Sequence, residues 1–283
     1  MKKILITIFA LFLGIQVNAA TTTTTWDSAA AQTKLNNIAY KLIKANNLPD
    51  GISIKVSAEE EANAYANINK EIYVYKGMLN YATTDEEIAA VISHEMGHII
   101  NGHNAKQTIL NNVIANITGD SSKSVGAAAV QELSSAKLSR KDEFEADLSG
   151  VDLLVKAGYN PLAMISVLNK ICGNYVDIIS THPSGEKRLM NIYDYVSYNY
   201  PDWTKKGYST DSYKKAYALI SLNVEERNAS KRLTKKYEKQ QEKLKKEKIK
   251  RAKKMLKSNN GWNSAYNTLL MLNSGSTSEN SAQ

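Results

Sequence analysis

The sequence predicts an α+β fold that is mostly helical and carries one small β-sheet. Several long segments have apolar residues at the spacing of amphipathic helices, whereas two short runs alternate as strands do. The chain has 283 residues and a single cysteine. Because one cysteine cannot form an internal disulfide, the fold must rely on core burial or on a metal. A chain of this length can bury a sufficient core.

The first twenty residues have the layout of a secretory signal. Lys2 and Lys3 precede an apolar run at residues 4–17, and small residues follow up to the expected cleavage point after Ala19. The run of about fourteen residues is shorter than the roughly 20 that a membrane-spanning helix needs. We therefore expect a soluble periplasmic or secreted protein, with residues 20–27 as a Thr-rich linker. The alternative is a membrane anchor that stays in place.

Helical spacing of apolar residues predicts a first helix at residues 27–47, and Pro49, Asp50 and Gly51 mark a turn. Alternating residues at 52–56 and 72–75 predict the two strands of a small sheet. The next helix is expected to open with a capping box in which Thr84 is the N-cap and Glu87 the third residue. Residues 88–100 are apolar almost all round, so this helix should be buried.

The second half of the chain is predicted to be helical. Residues 118–126 are expected to form a loop, residues 127–157 a long helix that ends at Gly158, and residues 184–196 a further helix. Beyond about residue 212 the sequence is helical and rich in lysine. We expect one globular domain at residues 28–200 and a helical or disordered extension at residues 201–283.

The positive charge of the chain lies mainly in this extension. The formal net charge is +8, and residues 229–257 hold fourteen Lys or Arg against three Glu, a net of +11. Without that segment and the two lysines of the signal, the remaining net charge is about −5, which argues against a nucleic-acid partner. The basic segment is either a solvated extension or a docking segment for an anionic membrane surface or an acidic protein.

The motif HEMGH at residues 94–98 lies inside the predicted buried helix. Two histidines four residues apart share one helix face, so both imidazoles can reach one zinc ion, and the Glu between them can address a water on that ion. The pattern alone is weak, and a pair of core histidines bonded to backbone carbonyls is the alternative. It predicts His94 and His98 as ligands and Glu95 as general base, if a third ligand exists elsewhere.

Two candidates for the third ligand follow the motif. His103 lies five residues after His98, which is one position short of the metzincin pattern HExxHxxGxxH, so we expect a surface or outer-shell role for it. Glu143 and Asp147 share a helix face that faces the core, where carboxylates need partners. Zinc for Glu143 and the ring N–H of a ligand histidine for Asp147 would satisfy both. Salt bridges with Arg140 or a lysine are the alternative, and Glu145 is expected in solvent.

Four segments in order resemble the gluzincin metallopeptidases of the HtpX, BepA and CAAX-prenyl-protease family, peptidase family M48. They are NAYANINKEIYVYKGML, HEMGH, SRKDEFEAD and THPSGEKR, and the likeness covers residues 30–197. The resemblance is closest to the soluble periplasmic branch and implies a minimal gluzincin domain with a small sheet beside the HExxH helix. It also implies one zinc ion per chain, bound by His94, His98 and Glu143, with Glu95 catalytic and Asp147 in the outer shell.

His182-Pro183, with Arg188 six residues after the histidine, matches the HP-x(4)-R element of that family. The resemblance implies that His182 stabilises the transition state or caps the zinc as a fourth ligand; a purely structural histidine is the alternative. Arg188 would bind a substrate carbonyl or anchor the loop. The expected function is a zinc-dependent endopeptidase acting on protein or peptide substrates, such as misfolded or unassembled cell-envelope proteins. A latent or chaperone-like zinc-binding protein with little proteolysis is the alternative.

Overall fold

The computed structural model describes residues 28–48, 50–103, 139–174 and 185–257, and it confirms an α+β fold that is mostly helical. The predicted signal, the linker, the 118–126 loop, the first part of the predicted 127–157 helix and His182 lie outside the described residues. In chain order the elements are α1 (Ser28–Ala45), β1 (Ser53–Ser57), β2 (Ala64–Ala66), β3 (Glu71–Tyr75), α2 (Lys76–Tyr81), α3 (Asp85–Asn101), α4 (Arg140–Lys156), α5 (Ala163–Asn174), α6 (Gly185–Asn199), α7 (Pro201–Lys206), α8 (Asp211–Ala229) and α9 (Lys231–Leu256).

The three strands form one sheet in the order β1-β3-β2. β1 runs parallel to β3, and β2 runs antiparallel to it with Tyr65 opposite Tyr73. In β3, Ile72 and Val74 are buried on the face that meets the core. On the other face the rings of Tyr65 and Tyr73 stack with their centroids 5.0 Å apart. The sheet therefore has one apolar face, and β2 occupies an edge close to α3.

Helix α3 is the central element of the fold. Its predicted capping box is present, because Thr84 Oγ1 accepts from the backbone N–H of Glu87 and the Glu87 side chain accepts from the N–H of Thr84. Its C-cap is Gly102, whose φ of 68° lies in the left-handed region that suits glycine. The helix packs against α1 and β2 as well as α4 and α5. Burial on nearly all sides explains why its sequence is apolar almost all round.

The crossing of α3 and α4 has almost no space between the two backbones. A Cβ atom added to Gly97 would lie 2.5 Å from the carbonyl oxygen of Ala146, and one added to Gly150 would lie 3.1 Å from the carbonyl of Ser93. Gly97 faces backbone atoms that cannot yield, so only glycine fits there, whereas at Gly150 the nearest atom is the mobile methyl group of Met164. The close approach brings the HEMGH face of α3 against the face of α4 that carries Glu143 and Asp147.

The C-terminal helices pack on the rest of the molecule. Helix α8 buries Tyr213, Ala216 and Ile220 and contacts α5. Helix α9 returns toward α4, where Lys248 pairs with Asp152 and Arg251 pairs with Glu145. Within the described parts of the chain, no helix is both long enough and apolar enough to cross a bilayer.

Candidate metal centre

Three side chains bring donor atoms together where α3 crosses α4. His94 Nε2 and His98 Nε2 are 3.1 Å apart. Glu143 Oε2 lies 3.5 Å from His94 Nε2, and Glu143 Oε1 lies 3.4 Å from His98 Nε2. Glu143 is fully buried and the two histidines nearly so. The helical spacing sets the two histidines on one face, and the helix crossing adds the carboxylate.

These distances fit a tetrahedral metal ion. Zinc binds histidine nitrogen and carboxylate oxygen at about 2.0 to 2.2 Å, and the edges of such a tetrahedron are about 3.3 to 3.6 Å long. The three separations here are 3.1, 3.4 and 3.5 Å. Two imidazoles and one carboxylate are also a donor set that zinc accepts. His94, His98 and Glu143 could therefore hold one metal ion.

Asp147 and Arg188 contact this group of three residues, Asp147 at His94 and Arg188 at Glu143. Asp147 Oδ1 is 2.9 Å from His94 Nδ1, the nitrogen that faces away from Glu143. Arg188 donates from Nε to Asp147 Oδ2 and from Nη2 to Asp147 Oδ1, both at 2.7 Å. Its Nη1 also lies 2.8 Å from Glu143 Oε2. One buried guanidinium therefore binds both carboxylates and fixes their separation.

The electrostatics of the site favour positive charge beside His94. Burial by itself lowers the pKa of His94, but the hydrogen bonds to Asp147 and Glu143 outweigh it and raise the pKa to about 10. Burial would also raise the pKa of Asp147, but the neighbouring Arg188 lowers it below its usual range. The two carboxylates thus favour either a protonated His94 ring or a metal cation at its Nε2.

His103 is buried, so the surface alternative for this residue is wrong. Its side chain is 1% exposed, and its Nδ1 lies 3.0 Å from Nδ1 of His98. Its Nε2 faces Glu145 Oε2 at 3.2 Å and Asp142 Oδ1 at 3.5 Å. The expectation that Glu145 lies in solvent is also wrong, because its side chain is only 15% exposed and also pairs with Arg251.

A small cavity of about 60 Å³ opens beside the metal group. His94, Glu95, Asp147 and Arg188 line one side of it. The rest of the lining is mostly apolar and comes from β2, α2, α3 and α5; it includes Ala64, Met78, Ala90, Val91, Met164, Val167, Leu168 and Ile171. Glu95 is thus next to both the candidate metal ligands and an apolar space.

Sequence reasoning singled out six residues that the structure brings together: His94, Glu95, His98, Glu143, Asp147 and Arg188. The pairing of Arg188 with the carboxylates of Glu143 and Asp147 was not predicted, although all three residues lie in the SRKDEFEAD and THPSGEKR segments. Sequence reasoning also missed the burial of His103 and Glu145, for which the sequence around them carries no signal. His182, the remaining predicted site residue, lies outside the described residues.

Comparison with known proteins places this arrangement in a family. The sequence model of Peptidase family M48 matches residues 29–196. Among similar proteins, the mitochondrial metalloendopeptidase OMA1 of Arabidopsis thaliana is 38% identical over 149 residues, which is 49% of this chain and 31% of that protein. The metalloprotease LoiP of Escherichia coli is 31% identical over 160 residues, 52% of this chain and 63% of that protein.

A third relative is the beta-barrel assembly-enhancing protease of Escherichia coli, 23% identical over 178 residues, which is 55% of this chain and 37% of that protein. The matched part of the chain spans less than two thirds of the length of each of these three relatives. The family match nevertheless covers more than half of the chain and contains the motifs on α3, α4 and α6. On this evidence the chain belongs to peptidase family M48.

Proposed function

We propose that this protein is a zinc-dependent endopeptidase. His94, His98 and Glu143 are its metal ligands, with one zinc ion per chain, and Glu95 is its general base. The observation that carries the proposal is the convergence of three donor atoms at zinc spacing beside a cavity that Glu95 lines. Three protein ligands leave one coordination position for reaction, which is the arrangement of catalytic rather than structural zinc sites.

The proposed chemistry is hydrolysis of a peptide bond. When bound, zinc acidifies a water molecule and polarises the carbonyl under attack. Glu95 would take the proton from the attacking water as its oxygen adds to the peptide carbonyl carbon, and would deliver that proton to the amide nitrogen as the C–N bond breaks. Asp147 accepts from His94 Nδ1 and so holds the ring with Nε2 toward the metal position.

Arg188 is assigned to positioning rather than to substrate binding. Its Nε, Nη1 and Nη2 atoms all meet the buried carboxylates of Asp147 and Glu143. This contact favours the anchoring alternative from the sequence over a contact with the substrate carbonyl. His182 is proposed to stabilise the transition state or to cap the zinc.

The edge of the sheet supports a peptide substrate in extended form. Tyr75 N donates to Asn63 O and Asn67 N donates to Glu71 O, which places the odd-numbered residues of β2 in bonded pairs with β3. The amide and carbonyl of Ala64 therefore point away from β3. A peptide that pairs with Ala64 would run past the metal group and place an apolar side chain in the cavity beside Glu95.

For the biological role we propose proteolysis of misfolded or unassembled proteins in the cell envelope, in the periplasm. The support is the predicted signal at residues 1–19 and the likeness to a protease named for β-barrel assembly. Only those residues of the basic segment 229–257 that do not contact α4 are proposed to dock on an anionic membrane surface or an acidic protein.

The test combines zinc content with cleavage of unfolded casein. Glu95→Gln should keep one zinc per chain and lose activity by about 10²- to 10⁴-fold, the usual contribution of a general base. Glu226→Gln, on the exposed side of α8, is the control and should behave as wild type. Cleavage by Glu95→Gln at the wild-type rate contradicts the proposal. Activity that appears only in His182→Ala would identify the latent form instead.

A further inference from the structure

We infer that His103, Glu145 and Arg251 form a hydrogen-bonded chain that holds the metal ligand His98 in one tautomer, and that His103 is a positioning residue for the zinc. This inference rests on the proposed function, because it takes His98 as a metal ligand. The chain runs from α3 through α4 to α9 and links the C-terminal extension to the metal centre.

The first step is the pair of histidines. Nδ1 of His98 and Nδ1 of His103 are 3.0 Å apart, and both rings are buried. Only one hydrogen fits between two ring nitrogens at this distance. When Nε2 of His98 binds a metal, the neutral ring of His98 carries its hydrogen on Nδ1. His98 must then donate, and His103 must accept through Nδ1.

The second step fixes the other side of His103. A neutral imidazole that accepts at Nδ1 carries its hydrogen on Nε2. Nε2 of His103 lies 3.2 Å from Oε2 of Glu145, which can accept that hydrogen. Oδ1 of Asp142 is more distant, at 3.5 Å, and its other oxygen accepts from the N-cap Ser139. Glu145 is therefore the main acceptor for His103.

The third step concerns Glu145, which Arg251 holds in place. Oε1 of Glu145 pairs with Nη2 of Arg251 on α9. Nη1 of the same guanidinium donates to Asn101 Oδ1 at 2.7 Å, and the amide of Asn101 donates to Gly97 O at 2.8 Å and Ser149 Oγ at 2.9 Å. Arg251 thus bonds to α3 and α4 at once.

The tautomers of His98 and His103 also exclude a second metal site next to the first one. His103, Asp142 and Glu145 have donor atoms close enough to hold a metal ion. A metal on Nε2 of His103 would require a hydrogen on its Nδ1, which would face the hydrogen on Nδ1 of His98 across 3.0 Å. Two N–H donors that face each other at that distance repel each other and form no hydrogen bond. With zinc on His98, the second group serves as a relay of hydrogen bonds.

The first test reads the tautomers and the metal content of the full chain. The sequence has four histidines, so proton–nitrogen correlation spectra of zinc-loaded protein with ¹⁵N-labelled histidine contain four rings. We expect one zinc per chain, His98 with its hydrogen on Nδ1 and His103 with its hydrogen on Nε2, assigned by loss of the ring signal in His103→Leu. A hydrogen on Nδ1 of His103, or two zinc ions per chain, would overturn the inference.

The second test measures zinc affinity by competition with a coloured chelator. His103→Leu fills the space without an acceptor and should weaken zinc binding by about 10- to 100-fold, the usual effect of losing an outer-shell partner. His103→Asn places Oδ1 near the position of Nδ1 and should recover most of that loss. If both variants bind zinc as weakly as each other, the effect is one of packing and the inference fails.

The role of α9 is tested with two variants of that helix. Arg251→Met should weaken zinc binding on the order of threefold, because its effect passes through two further hydrogen bonds, whereas Lys254→Met, an exposed residue of the same helix, should have no effect. Equal affinity in wild type, His103→Leu and Arg251→Met would refute the inference and leave the proposed function standing. Wild-type protein that binds no zinc would refute the proposed function itself.

Discussion

Replacement of Gly97 by alanine should damage the metal centre without touching any ligand. The added Cβ would lie 2.5 Å from the carbonyl oxygen of Ala146 and 2.9 Å from its Cα. Ordinary contact begins at 3.4 Å, so the α3 and α4 backbones would have to separate by about 0.9 Å at this point. Metal sites tolerate shifts of about 0.2 Å in their ligand distances. The third ligand would therefore move out of reach of the two histidines.

Gly97→Ala should also lower the stability of the fold. Overpacking of a core usually costs about 1 to 3 kcal/mol, and alanine recovers up to about 1 kcal/mol because it is a better helix former than glycine. We expect a net destabilisation of about 1 to 2 kcal/mol by urea unfolding. Zinc affinity should fall at least 10- to 100-fold, the range seen when a supporting partner of a ligand is lost.

Gly150→Ala is the matched control, because it lies at the same helix crossing. Its Cβ would meet Cε of Met164 at 2.7 Å, but that methyl is the end of a flexible side chain, and the nearest backbone atoms, those of Ser93, are 3.1 Å away. Zinc affinity in this variant should stay within about threefold of wild type. Wild-type zinc affinity in Gly97→Ala, or equal damage in both variants, would refute the reasoning.

Three further predictions concern single side chains. Asp147→Asn should weaken zinc binding by about 10- to 100-fold, measured by chelator competition, because it removes the charge that orients a ligand ring; unchanged affinity contradicts this role. Burial raises the pKa of Tyr213 to about 12 from 10.0, so its contribution to stability is present below pH 10 and is lost as the pH rises toward 12. Tyr213→Phe should therefore flatten the fall in unfolding free energy over that range, and an unchanged slope would contradict this. Lys170→Met should lower the free energy of unfolding in urea by about 3 kcal/mol, since it leaves the buried carboxylate of Glu87 without its cation at 2.7 Å; a loss below about 1 kcal/mol would show that the other hydrogen bonds of Glu87 suffice.

The features that the sequence predicted well depend on local spacing. The capping box of α3 needs residues only three apart, and the two histidines of HEMGH are four apart, so helix geometry alone sets them on one face. The same argument put Glu143 and Asp147 on the core face of α4, where the structure has them. Strands β1 and β3 were predicted within one residue at each end, because both alternate over five positions.

The features that the sequence did not predict depend on neighbours far along the chain. Strand β2 has three residues and α2 has six, which is too short for a period to show. Arg188 pairs with Asp147 across 41 positions, and no local pattern indicates that partner. Glu145 was expected in solvent because α4 alone exposes that face, but Arg251 of α9 covers it.

The separation of the candidate ligands along the chain has a consequence for folding. His98 and Glu143 are 45 positions apart, so a zinc ion held by both would act as a crosslink that closes a long loop. A covalent crosslink over a loop of that size removes chain entropy from the unfolded state worth about 4 kcal/mol. In a protein with one cysteine, a metal ion held by both residues would therefore supply the kind of crosslink that disulfides supply in other proteins.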